Sequence, residues 1–177
     1  MMSGPTPIWR PWGRQHGGAR SPYLAALLCL VVLVVSGAVG LALKQPWLFP
    51  SLGPTVMLFF SAPKLPSSRP VNALVGHFVA IIVGYACVLA FGLTGAPPAP
   101  IAGLTLPYLA AAAISVAITT LVLELVRLPH PPAGATTMIV SLGILDKPLN
   151  LLDMAGAIVL VTLAAWLLNY AVGHWRR

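Results

Sequence analysis

Few side chains in this 177-residue sequence can do chemistry, and the most promising sit beside glycine and proline. The stretch Pro50-Ser51-Leu52-Gly53-Pro54-Thr55-Val56-Met57 matches Pro131-Pro132-Ala133-Gly134-Ala135-Thr136-Thr137-Met138, with Pro, Gly, Thr and Met coinciding at one offset. At a helix start, such a glycine allows close backbone approach, and the threonine sets a hydroxyl beside unpaired N–H groups. That combination suits an anion. His77 and His130 add two titratable rings. Other chemistry is poorly supplied. The three acidic residues are Glu124, toward the inner end of its apolar run, and Asp146 and Asp153, toward an outer end, so no carboxylate is expected at either Gly-x-Thr stretch. Cys29 and Cys87 lie inside apolar runs, so neither a disulfide framework nor a metal site is expected. No His-x-x-Glu-His cluster, catalytic acid pair or Walker-type glycine loop occurs, so the chain reads as neither an enzyme nor an ATP-driven pump, with no cofactor.

These residues must be positioned by lipid-embedded helices. Apolar residues make up 58% of the chain and charged ones 7%, with a mean hydropathy of +0.91, whereas a soluble domain carries about a quarter charged. The net charge of +7 does not indicate nucleic acid, because the basic residues are scattered between apolar runs. Four stretches reach the ~20 residues that cross a bilayer: about Tyr23 to Leu43, Val71 to Leu93, Leu106 to Val126 and Leu151 to Val172. The first is too long for a removable signal peptide. Residues 1–22 read as a disordered basic cytoplasmic tail, 23–172 as the transmembrane domain and 173–177 as a second basic tail.

Two further apolar segments, Trp47 to Ala62 and Pro129 to Leu145, begin with prolines and contain glycine. Each divides into an extended stretch, 47–52 or 129–133, and a short helix from Gly53 or Gly134. Six extended residues at ~3.3 Å and ten helical ones at ~1.5 Å reach about 35 Å, enough to cross. Returning to the side of entry is the alternative.

A second match follows each broken segment: Arg69-Pro70-Val71-Asn72 and Lys147-Pro148-Leu149-Asn150 each open a long span. The unit of long helix, broken segment, basic-Pro-x-Asn turn and long helix therefore occurs twice, about 23–93 and 106–172. Charge chooses the topology. If the broken segments return, Lys and Arg divide five inside and five outside; if they cross, Lys64, Arg69 and Arg127 move inside and the division is eight to two. The positive-inside rule selects six crossings with both termini cytoplasmic. Three crossings per unit is an odd number, so the second unit must be inverted. The fold class is an all-α polytopic membrane protein of two inverted three-crossing repeats, the middle crossing of each a broken half-helix.

Non-helical chain at membrane depth survives only against protein or a watery cavity. The broken segments should therefore face inward, and inversion should bring their half-helix N-termini toward each other near the midplane. Each terminus carries roughly +0.5 charge. The expected binding residues are Gly53, Pro54, Thr55, Gly134, Ala135 and Thr136, with His77 and His130. A helix terminus contributes only ~0.3–2 kcal/mol to an anion, so the ligand should stay partly hydrated, as in a channel or low-affinity carrier.

The stretch from His130 to Thr136, His-Pro-Pro-Ala-Gly-Ala-Thr, resembles the signature of the HPP family of integral membrane proteins. Phe49-Pro50-Ser51-Leu52-Gly53-Pro54-Thr55 and Gly76-His77 resemble its other motifs, and the similarity covers about Tyr23 to Val172. Members in plastids and cyanobacteria are associated with nitrite transport, so the resemblance implies a small monovalent anion, nitrite first, as substrate. The family is commonly described with four membrane helices, two fewer than the crossings counted above.

The histidines have competing roles. His130 either attracts an anion or hydrogen-bonds a carbonyl freed by Pro131 and Pro132, and the structural role is the expected one. His77 is the only His, Lys, Arg, Asp or Glu in its span and is either functional or a hydrogen bond between helices on the stripe Gly76, Ala80, Gly84. The partners expected are a small inorganic anion and the lipid bilayer, in a bacterial inner membrane; a homo-oligomer is compatible. The alternatives to transport are a non-transporting scaffold or assembly subunit and an intramembrane enzyme.

Overall fold

A computed structural model describes residues 21–145 and 147–173; the two terminal tails and Asp146 lie outside the described residues. All regular structure among them is helical: α1 Pro22–Leu43, α2 Leu52–Ser61, α3 Pro70–Ala90, α4 Ala99–Ala102, α5 Leu106–Leu125, α6 Ala133–Ser141 and α7 Pro148–Ala171, with a 3-10 turn at Pro66–Ser68. Four of these, α1, α3, α5 and α7, are long and apolar enough to cross a membrane. Each opens with proline in its first two positions, where the missing N–H leaves no bond unmade. That places the start of α7 at Pro148, three residues before the apolar run suggested. Gly92, at φ 64°, ends α3 at Ala90, short of Leu93. The linker from Thr94 to Thr105 contains the single turn α4.

The bundle is apolar outside, and its largely apolar core, built on Val32, Leu52, Phe59, Phe60, Met154 and Ile158, also encloses polar side chains. Leu30, Ile82, Leu121 and Leu167 are each more than half exposed, while Ser36, Asn72, His77, Ser115, Thr119, Thr136, Thr162 and Asn169 are all buried. Lipid tails are as apolar as leucine, so the apolar core gains from close packing rather than from leaving water, and the small and hydrogen-bonding residues add specific contacts to it. The first long helix of each unit ends alike. Lys44 and Arg127 adopt left-handed backbone (φ 56° and 57°), and the next N–H reaches back five residues, Gln45 to the Gly40 carbonyl at 2.9 Å and Leu128 to the Leu123 carbonyl at 3.0 Å. This is the Schellman closure, with a basic residue where the carbonyl end of the dipole favours one.

The short helices α2 and α6 begin at Leu52 and Ala133, one residue before the expected glycines, because turns from Phe49 and His130 capture their first N–H groups. α6 packs along α3 and α5, and α2 along α7 and α1. The Asn72 side chain, in the first turn of α3, donates to the Pro129 carbonyl at 3.1 Å. A Cβ on Gly76 would lie 2.9 Å from His130 Cβ, and one on Gly84 would lie 3.0 Å from Val140 Cβ. Beyond the end of α3, the Ala99 N–H donates to the Leu142 carbonyl at 3.0 Å. The chain from Pro129 to Leu142 thus accompanies α3 along its whole length, in the same direction. Along α7, Trp47 covers Gly156, and the Asn169 amide, near the other end, donates to the Phe59 carbonyl at 3.1 Å. The residues 47–59 therefore follow α7 as 129–142 follow α3.

Candidate functional site

The packing of α2 and α6 brings their first turns onto one side chain. Thr55 and Thr136 are each the fourth residue of their helix, and both reach the imidazole of His77, which is fully buried on α3. Thr55 Oγ1 lies 2.9 Å from Nε2 and Thr136 Oγ1 lies 2.7 Å from Nδ1. The two hydroxyls therefore stand on opposite edges of one ring, each a hydrogen bond away from it. His130 stands edge-on to His77, ring centroids 4.9 Å apart at 69°, with Nε2 to Nε2 at 3.3 Å. Its Nδ1 is 2.8 Å from the Ser67 carbonyl.

The carbonyls assign the protons. Ser67 O only accepts, so His130 Nδ1 carries a hydrogen and, in the neutral ring, Nε2 carries none. Two bare Nε2 atoms would oppose lone pairs, so His77 Nε2 carries its hydrogen toward His130 Nε2 and Thr55 Oγ1. Thr55 spends its own O–H on the Ser51 carbonyl at 2.9 Å. His77 Nδ1 is then the bare nitrogen and takes the Thr136 O–H. Every member is satisfied with both rings neutral, as a buried polar network requires.

The other expected residues stand around this cluster. Pro54 is exposed, and Gly53, Gly134 and Ala135 are half-buried. A Cβ at Gly53 or Gly134 would meet nothing within 4 Å, so no protein neighbour demands glycine there. The first-turn N–H groups are less free than the sequence suggests. Ala133, Gly134 and Ala135 donate to the carbonyls of His130, Pro131 and Pro132 at 3.0–3.1 Å, and Leu52 to Phe49 at 2.9 Å. Gly134 and His130 line a cleft of about 270 Å³ between α5 and α6, shared with Thr119, Thr120, Pro131 and Glu124. Glu124 thus lies at the mouth of the second broken segment, where the sequence suggested no carboxylate: its place at the end of α5 in sequence hid how α6 packs beside it. Among the described residues no three His, Cys, Asp or Glu gather as metal ligands.

Several supporting residues gave no signal in the sequence. Ser68 Oγ closes the turn after α2 on the carbonyls of Leu58 and Ala62 at 3.1 and 2.6 Å, and so holds Ser67 under His130. Thr137 joins α6 to Thr119 of α5 at 3.2 Å. Asn72 did carry a signal, the repeated Pro-x-Asn turn, although its partner could not be read from it.

Four apolar spans enclosing a cluster of buried polar side chains, with two short helices meeting on a buried histidine, define a polytopic α-helical membrane protein. The family described as "HPP, transmembrane region" matches residues 15–177, and the chain belongs to that family. A transmembrane protein of Dictyostelium discoideum is 26% identical over 115 residues, 65% of this chain and 37% of the relative. The chain thus spans little more than a third of that relative's length. No solved structure matches significantly.

Proposed function

We propose that this protein carries a small monovalent anion across a bacterial inner membrane, with nitrite as the substrate that the family resemblance implies, and that it is not an enzyme. The observation behind this reading is the meeting of two half-helix starts on opposite nitrogens of one buried imidazole. The positive ends of both dipoles are directed at one region inside the bundle. α2 and α6 hold no ionisable side chain, so nothing there competes for a negative ligand. The binding residues in this reading are Thr55, Thr136, His77 and His130, with Gly53, Pro54, Gly134 and Ala135 shaping the approach.

The reading includes two inverted repeats with six crossings and both termini cytoplasmic. The exchange of packing partners supports it: α2 on α1 and α7, α6 on α5 and α3. Each short helix leans on the first long helix of its own unit and the last of the other, the pattern a two-fold axis in the membrane plane produces.

The test is anion uptake by proteoliposomes, run separately with nitrite, nitrate, formate and chloride. Nitrite flux above that of protein-free vesicles is the expected result. Vesicles impermeable to all four would leave a scaffold subunit as the better reading, and a stoichiometric metal in the purified protein would restore the enzyme.

A further inference from the structure

We propose that the His77–His130 pair is a proton-loading site that opens the anion site, so that proton and anion bind together and cross together. This rests on the transport reading above and adds a second transported species to it.

The neutral network is closed: the Thr136 O–H is consumed by His77 Nδ1, and the Thr55 O–H by the Ser51 carbonyl. In that state neither hydroxyl is free for a ligand. One added proton changes this in a way the geometry dictates. His130 Nδ1–H stays on the Ser67 carbonyl, and the 3.3 Å gap between the Nε2 atoms holds one hydrogen, whichever ring owns it. The remaining hydrogen must sit on His77 Nδ1, facing Thr136. Thr136 Oγ1 then turns from donor to acceptor, and its O–H is released into the first turn of α6. That O–H can fold back on the Pro132 carbonyl, as Thr55 and Thr137 do on the carbonyls four residues before them, or it can meet an anion. The positive charge now held by the ring pair favours the anion. Loading is reciprocal, since an anion at Thr136 holds the proton on the pair by the same coupling.

The charged and titratable surroundings suit entry from one side. α2 and α6 contribute none; α5 contributes Glu124, which lines the same cleft as His130, and Tyr108 at its other end, with Arg127 in the turn that follows; α7 contributes Asp153 and Tyr170; the turn before α3 carries Lys64 and Arg69; and α3 itself adds Tyr85 and Cys87. Glu124 is exposed and shares the 270 Å³ cleft with His130, so a proton can pass from solvent to carboxylate to the edge of the pair. His130 is only 2% exposed, and His77 is reached through it.

The experiment uses the full-length protein in vesicles clamped at zero potential, with nitrite as the anion, an internal pH dye, and protein-free vesicles to subtract leakage of the neutral acid. One proton carried per anion gives about tenfold nitrite accumulation per unit of inward pH gradient, together with internal acidification. In His77→Gln and His130→Gln the ratio of flux with the gradient to flux without it should fall to one, whatever the basal rate of each. Glu124→Gln, on the exposed wall, should slow the gradient-driven component several-fold. Ring-¹⁵N spectra of the wild type should place a bare nitrogen at His77 Nδ1 at neutral pH and a protonated one when acid and nitrite are added together. Nitrite flux without proton movement, or unchanged gradient ratios in the histidine variants, overturns the proton site and leaves anion transport standing. Absence of any anion flux overturns both.

Discussion

Replacing each threonine with valine keeps its shape and removes its hydroxyl, and the two positions should respond unequally although the sequence makes them equivalent. In Thr136→Val the Nδ1 lone pair of His77 loses its hydrogen-bond partner in a fully buried site. In Thr55→Val the His77 Nε2–H still faces His130 Nε2, and the Ser51 carbonyl, at the start of α2, loses its side-chain donor. A buried group left unsatisfied costs ~1–3 kcal/mol in soluble proteins. Hydrogen bonds between membrane helices average ~0.6 kcal/mol and reach about 1.7, so the membrane figure limits the effect. Thr136→Val should therefore destabilise by roughly 1–1.7 kcal/mol and Thr55→Val by about 0.5 or less. Reversible unfolding of purified protein in mixed micelles, titrated with a denaturing detergent, resolves a difference of that size. Equal losses would refute the proton assignment, since it alone makes one hydroxyl a sole partner and the other a spare.

Other outcomes follow from the same geometry. A cysteine at Pro66 should be labelled from the cytoplasm and one at Pro100 from outside; external labelling at 66 would restore four crossings. Gly84→Ala should cost about 1–3 kcal/mol by overpacking, because its Cβ would meet Val140 Cβ at 3.0 Å and the Thr137 carbonyl at 3.1 Å, and a denaturant midpoint equal to that of the wild type would show that α3 and α6 are not held so closely. Gly134→Leu has no clash at Cβ and should fold, as gel filtration in detergent would report, while filling the cleft and abolishing nitrite flux; normal flux would place the route elsewhere.

The long spans were legible because ~20 uninterrupted apolar residues admit few other structures in any solvent. The two short helices were legible because proline and glycine divide 47–62 and 129–145 at matching places. The partnerships were not. A threonine hydroxyl at a helix start reads as an open donor, but Thr55 spends its O–H on the Ser51 carbonyl four residues back, and the approach of α3, whose His77 is 22 residues from Thr55 and 59 from Thr136, engages the Thr136 donor and joins both hydroxyls in one network. The sequence likewise expected His130 to take a carbonyl near its own prolines. The acceptor is Ser67, 63 residues away, because the 3-10 turn before α3 lies against the second broken segment. Contacts of that separation leave no periodic trace.

The repeat register raises a last point about why the chemistry is single while the frame is double. Aligning Pro50 with Pro131 sets Phe49 opposite His130, and aligning Pro70 with Pro148 sets Ala155 opposite His77. Each histidine thus occurs in one unit without a counterpart in the other, His77 in the first and His130 in the second, whereas the threonines occur in both. An imidazole has nitrogens on two edges, so one ring placed between two related helix starts can serve both hydroxyls, and a second ring at 155 would have no hydroxyl left to meet. Two rings in contact, one anchored to a carbonyl, also force any added proton toward the single remaining nitrogen. A symmetric pair of histidines would spread that proton over two equivalent positions, and neither threonine would be committed to change its role. The asymmetry lets one proton act on one hydroxyl.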